Sequence, residues 1–263
     1  MPEGHTIHRL ARDLSATFGG GPVGATSPQG RFTEGAASID GKPLARATAR
    51  GKHLFLEFDE TLLHIHLGLI GKFRPRALGV DATDSVRLDL TNGEEFWQLT
   101  GPQTCAIVTA HEEAHVANKL GPDPLARGAS SQQFIEALGK RKVPISAALL
   151  DQGVVAGIGN VYRAEFLFLM GIEPHTPANK LTADQALELW DLSKQMLRLG
   201  VKLNRIVTVS RQDGGKPQSR MTNNERLYVY KREDQPCRRC DAPITIGKIG
   251  SRSVWWCPVC QLA

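Results

Sequence analysis

Long apolar runs are missing from the sequence. No window approaches the roughly 18 to 20 uninterrupted apolar residues that a membrane span requires, and the opening MPEGHTIHRL lacks the apolar region of a secretory signal. Internal repeats and low-complexity tracts are absent as well. With 41% hydrophobic residues over 263 positions, the chain can bury a real core in at least two packing units. We therefore expect a soluble, cytoplasmic protein without a membrane partner.

Cysteine is scarce, and four of the five cysteines follow one pattern. Cys237 and Cys240 form one C-x2-C pair, Cys257 and Cys260 form another, and sixteen residues separate the pairs. Each pair can present two thiolates to one ion, and two pairs complete the closed tetrahedral shell of a structural zinc site. Two disulfides are the alternative, but no feature of the sequence indicates an oxidising compartment. Cys105 stands alone and is predicted to be a small buried hydrophobe.

Acidic residues are few toward the C-terminus. From Lys202 onward the chain has twelve Lys and Arg residues and five Asp and Glu residues, whereas the residues before it carry twenty basic and twenty-two acidic side chains. This concentration of positive charge favours a polyanionic partner, because Lys and Arg that neutralise phosphates release condensed counterions. A solvated basic face without a partner is the alternative.

The first 120 or so residues carry short β-like runs that are separated by turn signals. Their spacing predicts an antiparallel sandwich or barrel. The predicted strands are 53–58, 62–66, 86–90, 96–99 and 106–109. An opening helix precedes them, because Ile7, Leu10 and Leu14 recur at helical spacing after Thr6, which is a predicted N-cap.

The stretch from Leu120 to Pro124, Leu-Gly-Pro-Asp-Pro, can continue neither a strand nor a helix and predicts a domain boundary. Beyond it, apolar i, i+3, i+4 faces predict helices. The predicted helices are 131–138, 145–151, 160–170 and 182–199. The polar stretch 202–222 predicts a mobile loop, 227–230 a strand, and 241–256 a hairpin inside the cysteine pairs.

Pro2 and Glu3 form the first candidate for chemistry. A small second residue usually allows removal of Met1, which would leave Pro2 with a free secondary amine. An α-amino group is less basic than a lysine and is more often unprotonated at neutral pH, so it can attack a carbonyl-like carbon and form an iminium. Glu3 could donate and accept protons during ring opening and elimination. A proline without any catalytic role is the alternative.

Two glycine-rich segments offer further candidates. In 149–160 an apolar helix stops, turns on glycines and restarts at Asn160, where free N–H groups and the helix dipole favour an anion. A plain helix hairpin is the alternative there. Lys52, on a hairpin tip, could contact a phosphate or transfer a proton. Leu69, within a glycine-flanked loop, could be an exposed wedge for a base stack, or else a core residue, with His64 and His66 as ordinary strand residues.

Together these residues resemble the Fpg/Nei family of bacterial DNA glycosylases with lyase activity. The carriers of the resemblance, in the family's order, are 1–4, 51–52, 66–69, 121–123, 157–160 and 252–261. The resemblance implies an α+β fold, in which an N-terminal β-sandwich with an opening helix spans 1–121. A helical helix-two-turn-helix domain over 122–230 and a four-cysteine zinc finger over 231–263 follow. It also implies a monomer at the bacterial nucleoid that binds damaged DNA and one structural zinc ion.

The resemblance implies catalytic roles for four residues. Pro2 is similar to the nucleophile that attacks the sugar C1′ and forms a Schiff base, and Glu3 to the acid that protonates the sugar ring oxygen. Lys52 resembles the residue that assists β-elimination or binds a phosphate. Arg252 resembles the residue that grips the phosphates flanking the lesion and aids δ-elimination, a task that suits the planar fork of arginine.

Three more residues are implied to bind DNA. His66 and Asn160 resemble phosphate ligands of the family. The family flips its damaged base out of the duplex, which requires a filler for the vacated stack. Leu69 is the predicted filler.

Two departures from the family pattern narrow the prediction. His5 and Thr6 stand where the family often has Pro-Glu, so a customary acidic neighbour of the active site is missing. Residues 101–105 replace the Asp-Pro-Arg-Arg-Phe-Gly stretch of the oxidised-purine branch. The sequence therefore resembles the endonuclease VIII branch, and the implied reaction is excision of oxidised pyrimidines followed by β,δ-elimination. An abasic-site lyase and a non-catalytic protein that binds damaged DNA are the alternatives.

Overall fold

The computed structural model describes residues 2–77 and 82–262. In it the chain divides into two units, Met1–Lys119 and Leu120–Ala263. Among the described residues, no helix combines the length and the apolar character that a membrane crossing needs.

Eight antiparallel strands form the framework of the first unit. In chain order they are β1 (Pro22–Thr26), β2 (Lys42–Arg50), β3 (His53–Phe58), β4 (Thr61–His66), β5 (Lys72–Arg76), β6 (Val86–Thr91), β7 (Phe96–Thr100) and β8 (Thr104–Val108). The order across the continuous sheet is β5-β7-β6-β1-β2-β3-β4-β8. Among the described residues of this unit, three helices accompany the strands: α1 (Gly4–Phe18), α2 (Thr33–Ile39) and α3 (Ala110–Asn118). All five predicted strands are present, whereas β1, β2, β5, α2 and α3 were not predicted.

Strands on both sides of β1 in this sheet bury side chains in one core. Leu14 of α1, Leu56 of β3, Leu90 of β6 and Leu99 of β7 are all fully buried in the same cluster. Alternation along the strands directs these residues inward, as expected for a sheet with one packed face. The predicted α+β class with an N-terminal β-fold and an opening helix is confirmed.

Helix α1 begins earlier than predicted. Its N-cap is Glu3, and the backbone N–H of Thr6 already donates to the Glu3 carbonyl at 2.8 Å. The prediction of Thr6 as N-cap is wrong because Gly4 and His5 adopt helical conformation and place Thr6 inside the first turn.

The second unit is helical and ends in a hairpin. Its elements are α4 (Ser131–Gly139), α5 (Ile145–Ala148), α6 (Asn160–Leu169), α7 (Ala183–Leu203), α8 (Arg211–Gly214), β9 (Thr245–Ile249) and β10 (Arg252–Trp256). Helix α5 ends three residues before the predicted limit, because the N–H groups of Leu150 and Asp151 donate to carbonyls three residues earlier, at 3.1 and 3.2 Å, and so leave the α-helical pattern. One buried cluster surrounds Phe166 and Trp190, and another joins Phe168 to the cysteine region.

The polar segment 202–222 is not an unstructured loop as predicted. Lys202 belongs to the last turn of α7, and α8 lies within the segment. Val209 and Met221 are buried in the cluster next to the cysteines. These buried side chains anchor a segment whose overall polarity had suggested mobility.

The predicted strand at 227–230 is also wrong. The backbone N–H groups of Tyr228, Val229 and Tyr230 donate to the carboxylate of Glu165 at 2.8, 2.9 and 2.9 Å. Glu165 lies on α6 and is fully buried. A carboxylate therefore satisfies the backbone donors that a neighbouring strand would otherwise have paired.

Candidate functional site

The first unit places a buried carboxyl beside Pro2. Glu3 is fully buried, whereas Pro2 is partly exposed. The Glu3 side chain does not cap α1, but it lies at the helix N-terminus, where the macrodipole favours a negative charge. His5 is also buried, and its Nε2 lies 3.3 Å from the Thr6 hydroxyl. This arrangement can supply a proton donor and acceptor next to an N-terminal amine.

Lys52 lies at the tip of the hairpin between β2 and β3. Arg50 and His53 face each other as the last pair of the two strands, so the turn consists of Gly51 and Lys52. Gly51 has a φ of +59°, which glycine adopts without steric cost at the first position of a two-residue turn. The turn leaves Lys52 partly exposed, as required for contact with a ligand.

Four aromatic rings stack on the face of β3 and β4 that lies next to this turn. Ring centroids are 4.7 Å apart for Phe55 and His64, 5.1 Å for His64 and His53, and 4.7 Å for His53 and His66. His53 Nδ1 and His64 Nε2 share a hydrogen bond of 2.9 Å. The predicted site residue His66 is therefore the last ring of a stack whose other histidines were not predicted as functional.

The imidazoles of His53 and His64 are neutral at pH 7. Burial, and then the charges of His66, His64 and Lys52, lower the pKa of His53 to about 4. Burial and the neighbouring His66 lower the pKa of His64 to about 4. The pKa of His66 is lowered by burial and by Lys52, against the opposing effect of a hydrogen bond with Gln103. The positive charge of Lys52 thus lowers the pKa of both His53 and His66.

The loop after β4 exposes two apolar side chains. Leu69 is 58% and Ile70 is 78% exposed, so the alternative that Leu69 is a core residue is wrong. The loop is tight, because the N–H of Gly71 donates to the carbonyl of Leu67 at 3.0 Å. Gly68 has a φ of +65°, and a Cβ on Gly71 would lie 2.3 Å from the Leu67 oxygen. The two glycines thus permit a tight turn that leaves the Leu69 side chain exposed to solvent. A side chain that inserts into a base stack must be exposed in this way.

The neighbouring β7–β8 connection is short. Only residues 101–103 separate the two strands, and Gly101 has a φ of +55°. The N–H of Gln103 donates to the carbonyl of His66 at 2.8 Å. This connection contains neither an arginine nor an aromatic residue.

In the second unit, Asn160 is the first residue of α6 and is oriented by a buried arginine. Arg163 Nη2 donates to Asn160 Oδ1 at 2.5 Å and to the Ser253 carbonyl at 2.6 Å. Asn160 Nδ2 donates to the same carbonyl at 3.3 Å. Arg163 is fully buried, and sequence reasoning missed it because its partner Ser253 lies 90 residues away.

The turn that precedes Asn160 is braced by one glutamine. Gln152 Oε1 accepts the N–H of Gly157 at 3.0 Å, and its Nε2 donates to the carbonyl of Ile158 at 3.0 Å. Gly157 has a φ of +92°, a conformation that favours glycine. The predicted stop, turn and restart of the helix at Asn160 is confirmed, and the helix N-terminus is held in a defined position.

Arg252 begins β10 and is exposed. It follows the two-residue turn of Gly250 and Ser251, in which Gly250 has a φ of +59°. Its chain neighbour Ser253 provides the carbonyl that binds Arg163 and Asn160. The second unit therefore brings Asn160 and Arg252 together through one backbone carbonyl.

The four paired cysteines converge as the spacing predicted. Their sulfur atoms all lie within 4.8 Å of one another, with 3.8 Å between Cys237 and Cys260 and 3.4 Å between Cys240 and Cys257. All of them are free, so the disulfide alternative is wrong. A tetrahedral ion with bonds of about 2.3 Å requires sulfur separations of about 3.8 Å, which lies within the range found in this cluster. Cys105 packs against the first core, and burial raises its pKa to about 12.

Comparison with known proteins identifies both units. The formamidopyrimidine-DNA glycosylase N-terminal domain matches residues 1–108, and the formamidopyrimidine-DNA glycosylase H2TH domain matches residues 120–212. These matches cover most of the chain, and they include the turn at Asn160 and the start of α1.

Full-length relatives show the same family. Endonuclease 8 1 of Mycobacterium tuberculosis strain H37Rv is 39% identical over 99% of this chain and 100% of its own. Formamidopyrimidine-DNA glycosylase of Cronobacter sakazakii is 33% identical over 85% of this chain and 84% of its own. Lactococcus lactis Fpg, in a complex with abasic-site DNA, superposes with a TM-score of 0.81 at 26% identity over 99% of this chain and 100% of that chain. The chain therefore belongs to the Fpg/Nei family of DNA glycosylases with AP lyase activity.

Proposed function

We propose that the protein is a bifunctional DNA glycosylase and AP lyase of base excision repair that removes oxidised bases through an N-terminal proline. The observation that carries this proposal is the fully buried Glu3 carboxyl beside Pro2 at the start of α1. Burying a carboxyl group costs free energy unless its surroundings stabilise it, and such a cost is expected where the group takes part in a reaction. A helix N-terminus next to a secondary amine provides both a stabilising environment and a reaction partner.

The proposed chemistry follows from these groups. The unprotonated Pro2 amine attacks C1′ of the damaged nucleotide, and the bond from C1′ to the base breaks with its electron pair leaving on the base. The proton that the amine nitrogen then gives up balances the charge of the departing base. Glu3 protonates the sugar ring oxygen, which opens the ring and leaves an iminium between Pro2 and C1′. Loss of a C2′ proton then expels the 3′ phosphate, and a second elimination expels the 5′ phosphate. Lys52 assists the first elimination and Arg252 the second.

Phosphate and base-stack contacts complete the proposal. His66 and Asn160 are oriented by neighbouring side chains and serve as phosphate ligands, while Arg252 supplies a forked one. Leu69 fills the stack that the flipped base vacates, for which its exposure on a rigid turn is suited.

The proposed metal is one structural zinc ion held by Cys237, Cys240, Cys257 and Cys260. The sulfur separations fit a tetrahedral thiolate shell, which has no open position for substrate. The ion would stabilise the hairpin that carries Arg252 without taking part in the reaction. We further propose that the enzyme acts as a monomer on damaged DNA in the bacterial cytoplasm.

Oxidised pyrimidines are the proposed lesion class. The three-residue connection at 101–103 contains neither an arginine nor a phenylalanine, which the Asp-Pro-Arg-Arg-Phe-Gly stretch of the oxidised-purine branch provides. The higher identity to a protein named Endonuclease 8 1 than to one named formamidopyrimidine-DNA glycosylase supports the same choice.

Borohydride trapping tests the proposal directly. Oligonucleotides containing an abasic site, thymine glycol, dihydrouracil or 8-oxoguanine, each single-stranded and paired, are incubated with the protein and borohydride, and peptide mapping locates the adduct. We expect adducts on Pro2 with the pyrimidine lesions and the abasic site. The control is a variant with one extra residue between Met1 and Pro2. After removal of Met1 the extra residue still forms an amide with the Pro2 nitrogen, so this variant should form no adduct on Pro2. An adduct at full yield in Pro2→Gly would rule out the Pro2 assignment.

An abasic-site lyase without base excision is the second candidate. The observation that favours it is Thr6, next to the buried His5, in place of the acidic residue common in the family. Trapping at the abasic site alone, with no adduct on any damaged base, would establish this candidate. Tight DNA binding without any adduct would instead indicate a non-catalytic protein.

A further inference from the structure

We propose that His53 and His64 are positioning residues that hold His66 ready for contact with the DNA backbone. This inference rests on the proposed function, in which His66 binds a phosphate. Neither His53 nor His64 belongs to the set of residues that the sequence singled out for chemistry. Their assignment comes from the ring stack on β3 and β4.

The strand register places all four rings on one face of the sheet. His53 lies directly opposite His66, and Phe55 lies directly opposite His64. The residues between them, such as Leu54 and Ile65, point to the other face and join the buried core. The ring stack is therefore a separate layer, and it is not part of the core cluster of this unit.

Burial decreases along the stack from its base to its tip. Phe55 is 2% and His64 is 7% exposed, whereas His53 and His66 are partly exposed. The buried pair provides a fixed platform, since their rings are nearly parallel at 13°. His53 rests on His64 through the 2.9 Å hydrogen bond, and His66 stacks on His53 at 18°. Each ring thus restricts the next, which reduces the entropy lost when His66 binds a ligand.

The hydrogen bond between His53 and His64 also links the tautomers of the two rings. Two neutral imidazoles can share a hydrogen bond only if one nitrogen donates and the other accepts, so His64 determines which tautomer of His53 is compatible with the bond. Around the stack, Lys52 and Arg50 are the nearby cations on the hairpin, and Glu113 of α3 pairs with Arg50 at 3.1 Å. Neutral rings avoid further repulsion with these cations.

A double-mutant cycle tests whether His53 acts through His66. Dissociation constants for a duplex with an abasic-site analogue are measured for the wild type, His53→Ala, His66→Ala and the double variant. We expect His53→Ala to weaken binding about fivefold, as the loss of one hydrogen bond and one ring contact implies. In the His66→Ala background the same change should have less than about a twofold effect, because residues acting as one unit are not additive.

Two further variants separate the stack from the hydrogen bond. His53→Phe retains the ring but not the hydrogen bond and should weaken binding less than His53→Ala. His111→Ala, an exposed histidine of α3 in the same unit, is the matched control and should bind like the wild type. Additive effects of His53→Ala and His66→Ala on binding would overturn the proposal.

A readout without DNA keeps this inference distinct from the proposed function. In histidine-labelled protein, His53→Ala should broaden or shift the imidazole signals of His66 and leave those of His111 unchanged. Unchanged His66 signals would overturn the positioning role even if the enzyme is fully active. Absence of borohydride adducts in the wild type would refute the proposed function. The spectroscopic result would then still decide whether His53 positions His66.

Discussion

Arg163 donates a hydrogen bond of 2.6 Å to the carbonyl of Ser253 although 90 residues separate the two in sequence. The arginine lies on α6, and the serine lies on β10 directly after Arg252. Because Arg163 also binds the side chain of Asn160, one guanidinium connects both phosphate-binding candidates of the second unit. Their relative position therefore depends on a fully buried charge.

Replacing Arg163 with lysine should destabilise the second unit. A single ammonium cannot reproduce the forked contacts with Asn160 and the Ser253 carbonyl, and it would leave buried acceptors without donors. We expect the variant to lose about 2 to 4 kcal/mol of unfolding free energy in urea titrations. Arg198→Lys, an exposed change on α7, should stay within about 0.5 kcal/mol of the wild type. Equal midpoints for the two variants would show that the buried contacts contribute nothing.

Metal content should depend on the paired cysteines and not on Cys105. We expect about one zinc ion per chain in the wild type by elemental mass spectrometry, as for a closed four-thiolate site. Cys257→Ser should lose the ion and unfold at a lower temperature, whereas Cys105→Ser should keep the ion, since its sulfur packs against the other core. Retention of zinc in Cys257→Ser would contradict the four-cysteine assignment.

Leu69→Ala should impair base excision without impairing stability. The side chain is 58% exposed, so its removal leaves no cavity in the core. We expect excision from duplex DNA to fall about tenfold or more, because the vacated stack loses its filler at a cost of a few kcal/mol. Incision of single-stranded abasic DNA should change little. Leu187→Ala, at an exposed leucine of α7, is the control for both rates, and a similar loss in this variant would contradict a wedge role for Leu69.

Acid should weaken the first unit through its histidine stack. The pKa of His53 falls from an ordinary 6.5 to about 4 on folding, so between these values the unfolded chain binds more protons than the folded one. Stability therefore decreases as the pH is lowered from about 6.5 to about 4. Urea midpoints measured across this range should fall less steeply for His53→Phe than for the wild type. Parallel curves for the two proteins would show that His53 does not contribute, and His111→Phe serves as the exposed control.

Local patterns in the sequence were sufficient for several features. The spacing of the cysteines predicted a four-sulfur cluster, because a C-x2-C turn brings its two thiols together regardless of the rest of the fold. Glycines in the sequence predicted the turns next to Lys52, Leu69 and Asn160. In the structure a glycine with positive φ lies in each of these turns. Short β-like runs bounded by turn signals predicted five strands of the first unit, β3, β4, β6, β7 and β8, since strand propensity and turn residues act locally.

Contacts between distant residues were decided only by the tertiary structure. The chain at 227–230 has a strand-like sequence, yet its amides bind the Glu165 carboxylate on a helix more than sixty residues earlier. Likewise, Arg163 could be recognised as a link to Ser253 only once α6 and β10 were placed side by side. His53 and His64 became neighbours through strand register, which neither residue specifies alone. Short-range steric effects and the spacing of residues along the chain can be read from the sequence. The partners of buried polar groups, by contrast, depend on the packing of segments that lie far apart in the chain.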